Sequence, residues 1–124
     1  MFDHADYIHR YTRADAIRDG VLIDVSAVAR EAGSKHPVAL TAGAWERCVA
    51  VPPSVAYQDE AGRLWDVLTM LRFAIRRGGA GPEVRFGVRG DNRDRTPPLV
   101  RLKAICGPGD DGEPVLTVMA PDED

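Results

Sequence analysis

The segment 11–25, YTRADAIRDGVLIDV, constrains the start of this fold most, because it holds a helix cap, a glycine stop and a strand in immediate succession. Thr12 followed by Asp15 is typical of a capping box, in which a hydroxyl and a carboxylate accept hydrogen bonds from the first amides of a helix. Gly20 supplies the left-handed residue that ends such a short helix. The apolar run that follows, interrupted by Asp24, predicts a buried strand with Asp24 near its exit.

Two further units repeat this pattern of cap, helix and stop. Ser26 is predicted to cap a helix over 27–32 that Gly33 ends. Residues 37–40 are consistent with a second short strand, after which Thr41 is a suitable cap for a third helix. The first half of the chain is therefore expected to alternate short helices with short strands.

The longest periodic stretch predicts a helix over 59–77, and we expect it to be the spine of the domain. Its large aliphatic side chains recur at the i, i+4, i+7 and i+11 positions of one buried stripe, which are Leu64, Leu68, Leu71 and Ile75. Acidic residues stand at its start and basic ones at its end, which matches the helix dipole at both poles.

Three segments with alternating apolar residues close the chain, at 83–89, 99–105 and 114–119. Their sequential order and short connections favour an antiparallel meander. The whole pattern predicts an α+β fold, in which short helix and strand units and one long helix pack on a mostly antiparallel sheet. The 124 residues are expected to form a single domain with mobile ends at 1–10 and 121–124.

Charge is segregated along the chain, although its net value is only −3. Residues 72–103 hold nine basic and three acidic side chains, whereas residues 104–124 hold six acidic and no basic ones. The slightly acidic total argues against a protein that coats nucleic acid, since phosphate binding usually requires a basic domain. The fractions of 44% apolar and 28% charged residues are those of a soluble globular protein.

Basic side chains dominate one face of the predicted meander, because alternation turns Val84, Phe86 and Val88 to the other face. With the arginines that end the long helix, this face predicts a basic platform for phosphate or for an acidic protein. Nucleic acid is less favoured, because no exposed aromatic side chain is expected there on which a base could stack. The alternative is a solvated sheet face without a binding role. The predicted binding residues are Arg72, Arg76, Arg77, Arg85, Arg89, Arg93, Arg101 and Lys103.

A polar set near the first helix could form the rim of a pocket. The structural alternative assigns its members to caps, a helix stop and a strand end, with Arg13 paired with Asp24 or Asp19. The set consists of Tyr11, Thr12, Arg13, Asp19, Gly20 and Asp24.

Motifs for catalysis or metal binding are not found elsewhere in the sequence. Cys48 and Cys106 lack the spacing of a disulfide or zinc motif, and we expect both to be reduced thiols in the cytoplasm. His4, His9 and His36 match no metal-ligand spacing. No nucleophile motif and no apolar run long enough to cross a bilayer is present. We therefore expect no catalytic residue, cofactor, metal or membrane partner.

The opening residues resemble an uncharacterised family of small bacterial proteins, borne on plasmids and phages, that begin with Tyr-Ser/Thr-Arg, then Ala-Ile, Asp-Gly-Val-Leu and Asp-Val. The match covers the first third of the chain well, continues as far as Trp45, and is looser afterwards. The resemblance implies a cytoplasmic accessory protein of mobile genetic elements and carries no established activity. The matching residues are Tyr11, Thr12, Arg13, Ala16, Ile17, Asp19, Gly20, Val21, Leu22, Asp24 and Val25.

These observations together predict a non-enzymatic accessory protein that binds a charged macromolecular partner, such as a host defence or replication factor, through its basic residues or through its acidic C-terminal segment. The alternative is a small enzyme or ligand-binding protein with a pocket near Tyr11, Arg13 and Asp24. A homodimer with a structural role is a third interpretation.

Overall fold

The computed structural model of the protein describes residues 10–50, 60–78, 81–89 and 99–123. The predicted α+β fold is confirmed along these residues. In chain order the elements are α1 (Arg13–Arg18), β1 (Leu22–Asp24), α2 (Ser26–Glu31), β2 (Val38–Thr41), α3 (Ala42–Cys48), α4 (Glu60–Arg77), β3 (Glu83–Arg89), β4 (Leu99–Pro108) and β5 (Pro114–Met119).

The strands form one open sheet in the order β1-β2-β5-β4-β3. Strands β3, β4 and β5 are antiparallel neighbours, so the predicted meander is confirmed. Strand β2 lies antiparallel to β1 but parallel to β5, which joins the first half of the chain to the last strand. Val38 lies opposite Leu116, and Ala104 lies opposite Val118. The even-numbered residues of β2 to β5 therefore share one face of the sheet.

This even face carries the hydrophobic core, and residues of α2, α3 and α4 pack on it. Helix α4 contributes Leu64, Val67, Leu68 and Leu71, all nearly inaccessible to solvent. Ile75, which was predicted to belong to the same stripe, is 43% exposed, so that prediction is wrong for the last turn. The reason is that Ile75 borders an open groove between α4 and α2 instead of the closed core.

Helix α1 begins and ends as the sequence predicted. Thr12 and Asp15 form a capping box, and Gly20 follows with a φ of 79°. The Arg13 side chain donates to Thr117 Oγ1 at 2.7 Å, and Thr117 belongs to the odd face of β5. Helix α1 thus borders the face opposite the core, whereas the other three described helices pack on the even face.

The predicted role of Ser26 as a helix cap is wrong. Helix α2 starts at Ser26 itself, after Val25, whose side chain makes no cap bond. The amide of Ser26 donates to Asp24 Oδ1 at 3.0 Å. The Ser26 hydroxyl instead donates to Asp24 Oδ1 at 2.6 Å and accepts from the backbone amide of Val38 at 3.1 Å. Ser26 therefore ties the end of β1 to the start of β2.

Candidate functional site

A groove of about 370 Å³ lies between α2, the loop 32–36 and the second half of α4. We call it the α2–α4 groove. Its volume lies within the range of sites that hold small ligands or a few side chains of a partner. Its lining residues are Ala29, Ala32, Gly33, Ser34, Lys35, His36, Val38, Leu68, Leu71, Arg72, Ile75, Arg76 and Leu116.

The floor of the groove is apolar, because it is made by the edge of the core. Val38 and Leu116 are register partners on β2 and β5, and both point to the helix side of the sheet. Leu68 and Leu71 reach the floor from α4, and Ala29 reaches it from α2. The small side chain of Ala29 leaves the space that a larger residue would fill. An apolar group that entered the groove would gain contacts and lose its exposure to water.

The rim of the groove is basic. Lys35 and His36 come from the loop between α2 and β2, whereas Arg72 and Arg76 lie one turn apart on α4. Among the described lining residues there is no aspartate or glutamate, and none of the ion pairs found in this part of the chain uses these four side chains. The rim therefore presents the positive charges of Lys35, Arg72 and Arg76 above an apolar floor.

Arg72 is held in place by the backbone and not by an acid. Its Nη1 donates to the carbonyl oxygen of Ala32 at 3.0 Å. Its guanidinium lies over Gly33, where the β-carbon of any other residue would be. Gly33 ends α2 with a φ of 99°, so the same glycine turns the chain and makes room for the cation. Bonding to a neutral carbonyl leaves the full charge of Arg72 available to a ligand.

The structure does not bring all the predicted binding residues onto one surface. Arg72 and Arg76 line the groove, and Arg77 follows them at the exposed end of α4. The strand residues Arg85, Arg89, Arg101 and Lys103 lie on the opposite face of the sheet, as their register shows, and Arg93 lies outside the described residues.

The strand face itself is less open than the sequence predicted. Arg85 forms an ion pair with Glu83 on the same strand, with 2.8 Å between Nε and Oε2. Lys103 is only 7% exposed, between Met119 on β5 and Arg85 on β3. Arg101 is exposed. Of the two candidate cationic surfaces, the α2–α4 groove is thus the one that combines charge with an apolar recess.

The polar set near α1 serves mainly to hold that helix. Tyr11 donates to Asp19 at 3.0 Å, and Asp24 accepts from the amide and the hydroxyl of Ser26. The prediction that Arg13 forms an ion pair with Asp24 or Asp19 is wrong, because the Arg13 guanidinium donates to Thr117 and to the carbonyl oxygen of Leu116. These two acceptors belong to β5, which no local sequence pattern places beside α1.

Burial lowers the pKa of the Arg13 guanidinium from its ordinary value, and the charges of Asp24, Asp110 and Glu113 oppose this shift. A cation in this position balances several acids at one end of the sheet. The role that the contacts of Arg13 support is therefore structural.

A second, more open hollow of about 490 Å³ lies on the odd face beside α1. Asp19 and Gly20 of the predicted set line it, but Tyr11, Arg13 and Asp24 do not. Glu123 also lines it. Its Oε1 accepts from Thr41 Oγ1 at 2.9 Å and from the amide of Ala120 at 2.8 Å. The hollow is thus bordered by Glu123, which bonds to both Thr41 and Ala120.

The thiols and the acidic side chains of the described residues differ in burial and form no metal-ligating cluster. Cys48 is buried in α3, and desolvation raises the pKa of its thiol to about 11, which keeps the thiolate scarce at neutral pH. Over the described ranges, no three metal-ligating side chains come together. None of the helices described combines the length and the apolar character that a membrane crossing requires.

Sequence reasoning found two of the four basic rim residues and missed the other two. Lys35 and His36 belong to a loop, and no pattern in the neighbouring sequence indicates that this loop lies beside α4. A usable signal was the run of small residues Ala29, Ala32 and Gly33, which faces α4 and leaves room between the helices.

The sequence matches, over residues 1–124, the family described as Family of unknown function (DUF6573), and the chain belongs to this family. No curated protein matches the chain. No solved structure matches it either. The resemblance to an uncharacterised family is thus confirmed.

Proposed function

We propose that this member of a family of unknown function is a non-enzymatic interaction protein, which binds an acidic segment of a partner protein in the α2–α4 groove. The observation that carries the proposal is the combination of four basic rim residues and an apolar floor, with no acidic side chain among the lining residues that the structure describes. Such a site fits a segment in which carboxylates flank one or two large apolar side chains.

A protein segment suits this groove better than nucleic acid does. The floor offers aliphatic side chains, which reward burial of a leucine or phenylalanine more than they reward a sugar or a phosphate. The rim adds charge complementarity, which raises the association rate and rejects basic sequences. The net charge of −3 would also repel a polyanion that extends beyond the groove.

The setting that we propose is a bacterial cytoplasm, where the protein serves a plasmid or a phage by occupying the charged site of a host defence or replication factor. This setting rests on the resemblance of residues 11–25 to small proteins of mobile elements. The groove supports the mode of binding only.

The test uses fluorescent peptides in which a leucine or phenylalanine is flanked by glutamates. The comparison peptides have the same sequences with lysine in place of each glutamate. We expect micromolar binding by acidic members, weakened steeply between low and moderate salt because the rim is exposed. Arg76→Glu should weaken binding by about tenfold or more, since it reverses one rim charge.

Arg101→Glu is the matched control, because it makes the same charge change on the opposite sheet face. It should change the affinity for the peptide by less than about twofold, because salt screens a charge that lies far from the groove. Equal losses in both variants, or no acidic peptide bound at low salt, would contradict the proposal.

A further inference from the structure

Strand β3 is an open edge of the sheet among the described residues, and its backbone is arranged to accept another strand. It is the last strand in the sheet order and pairs with β4 on one side only. The amide of Cys106 donates to the carbonyl of Pro82 at 2.7 Å, and the register places these residues opposite each other. Bonding residues alternate along antiparallel strands, so the even residues of β3 bond to β4 and the odd ones point outward.

We infer that two copies of this chain pair antiparallel through β3, around a two-fold axis at Phe86, to form one continuous sheet. In this register Glu83 lies opposite Arg89 of the second copy, and Arg85 lies opposite Gly87 of the second copy. The outward amides and carbonyls of all four residues then find partners. Glu83 already pairs with Arg85 on its own strand, and the symmetry places it opposite Arg89 of the second copy as well. These two Glu–Arg contacts across the axis are the charge complementarity that selects a second copy as the occupant.

Other registers conflict with the sequence of β3, which reads EVRFGVR. A shift of the pairing that still aligns the hydrogen-bonding residues can run in two directions. One direction places Arg85 opposite Arg85 of the second copy, and the other places it opposite Arg89 of the second copy. Like charges directly opposite each other are destabilising in both cases. A slip by one residue would join the apolar face of one copy to the charged face of the other. The central register is thus the one in which charge, pleat and hydrogen bonding agree.

The apolar side of the strand is consistent with this arrangement. Val84, Phe86 and Val88 lie on the core side, and Phe86 is only partly buried within the single chain. At the axis, Phe86 would meet its own copy, and each Val84 would meet Val88 of the second copy. The α2–α4 groove lies over β2 and β5, so pairing at β3 leaves it open and the two proposals can fail independently.

The test measures the mass of the full chain in solution by sedimentation equilibrium between about 1 and 200 μM, a range typical of modest interfaces. We expect a dimer that dissociates on dilution. Glu83→Arg and Arg89→Glu should each shift the equilibrium toward monomer by at least tenfold in Kd, because each sets like charges opposite each other twice. Mixed together, the two variants should recover a dimer, since one copy then carries two arginines and the other two glutamates at the paired positions.

Arg30→Glu is the control for charge alone, because Arg30 is exposed on α2, which packs away from the edge strand. Arg85→Pro gives a second test, directed at the backbone, in which no charge is reversed. It removes an outward amide without touching the ladder to β4, so it should abolish the dimer while circular dichroism stays unchanged. A monomer at 200 μM, or a dimer indifferent to these three β3 variants, would overturn the inference.

Discussion

The guanidinium of Arg72 lies directly over Gly33, in the space where a β-carbon would project, while its Nη1 donates to the carbonyl of the preceding residue, Ala32. This contact joins the C-terminal end of α2 to the middle of α4 across the rim of the groove. It makes the shape of the groove depend on a residue without a side chain.

Gly33→Ala should therefore cost stability in two ways, through strain at a φ of 99° and through displacement of Arg72. Gly20→Ala is the matched control, because Gly20 has a φ of 79° but open space where the new methyl group would lie. We expect a loss of about 1 kcal/mol for Gly20→Ala and about 2–3 kcal/mol for Gly33→Ala in urea denaturation. Equal losses of unfolding free energy in the two variants would show that the Arg72 side chain can move away from residue 33 without destabilising the fold.

The turn between β4 and β5 caps a distant helix. The two carboxylate oxygens of Asp110 accept from the amides of Arg13 and Ala14, at 2.8 and 3.0 Å, and so satisfy the first turn of α1. Asp110→Ala should lower the unfolding free energy by about 1–2 kcal/mol, the usual cost of a lost cap. Asp111→Ala, which removes an exposed carboxylate from the same turn, should change it by less than about 0.5 kcal/mol.

The features that the sequence predicted well are those decided within a few residues. The capping box at Thr12, the left-handed stops at Gly20 and Gly33, and the cap at Thr41 all depend on neighbours in the chain. The long helix and the meander follow from periodicity alone, which is why their type and order could be predicted.

The features that sequence reasoning missed depend on which strands become neighbours. The parallel pairing of β2 with β5 brings Leu116 and Thr117 within reach of Arg13, and it gives Ser26 and Val38 their positions. The side of the sheet that α4 covers decides that its arginines and those of β3 point in opposite directions. Neither the pairing of β2 with β5 nor the side of the sheet that α4 covers can be predicted from the local pattern of the sequence.

The charged side chain of Arg13 is expected to stabilise the folded state. Its guanidinium is partly buried and donates to Thr117 and to the carbonyl of Leu116. Arg13→Met keeps much of the apolar stem but leaves these acceptors without their donor, at a cost of about 1–3 kcal/mol. Arg47→Met should cost less than about 0.5 kcal/mol, because Arg47 is exposed and its ion pair with Asp122 spans 3.8 Å. Thermal denaturation of both variants would check the difference.

Burial of Cys48 should make the protein less stable in alkali. Desolvation raises the pKa of this thiol from 9.0 to about 11, although the charges of Arg63 and Arg47 oppose the shift. Between these two values the unfolded chain has released its thiol proton while the folded chain still holds it. The unfolded state therefore binds fewer protons, and the unfolding free energy falls as pH rises from about 9 to 11, by roughly 2 kcal/mol in total from this group.

The Cys106→Ser variant isolates the effect, because Cys48 is then the only thiol in the chain. Its unfolding free energy should fall more steeply between pH 9 and 11 than that of the Cys48→Ala, Cys106→Ser double variant, which lacks the titrating group. Alkylation by iodoacetamide at pH 8 supplies an independent measurement, in which the exposed thiol of Cys106 reacts first and that of Cys48 about 100-fold more slowly or only after urea is added. Parallel pH profiles in the two variants, with fast alkylation of Cys48 in the folded chain, would mean that water reaches this part of the core.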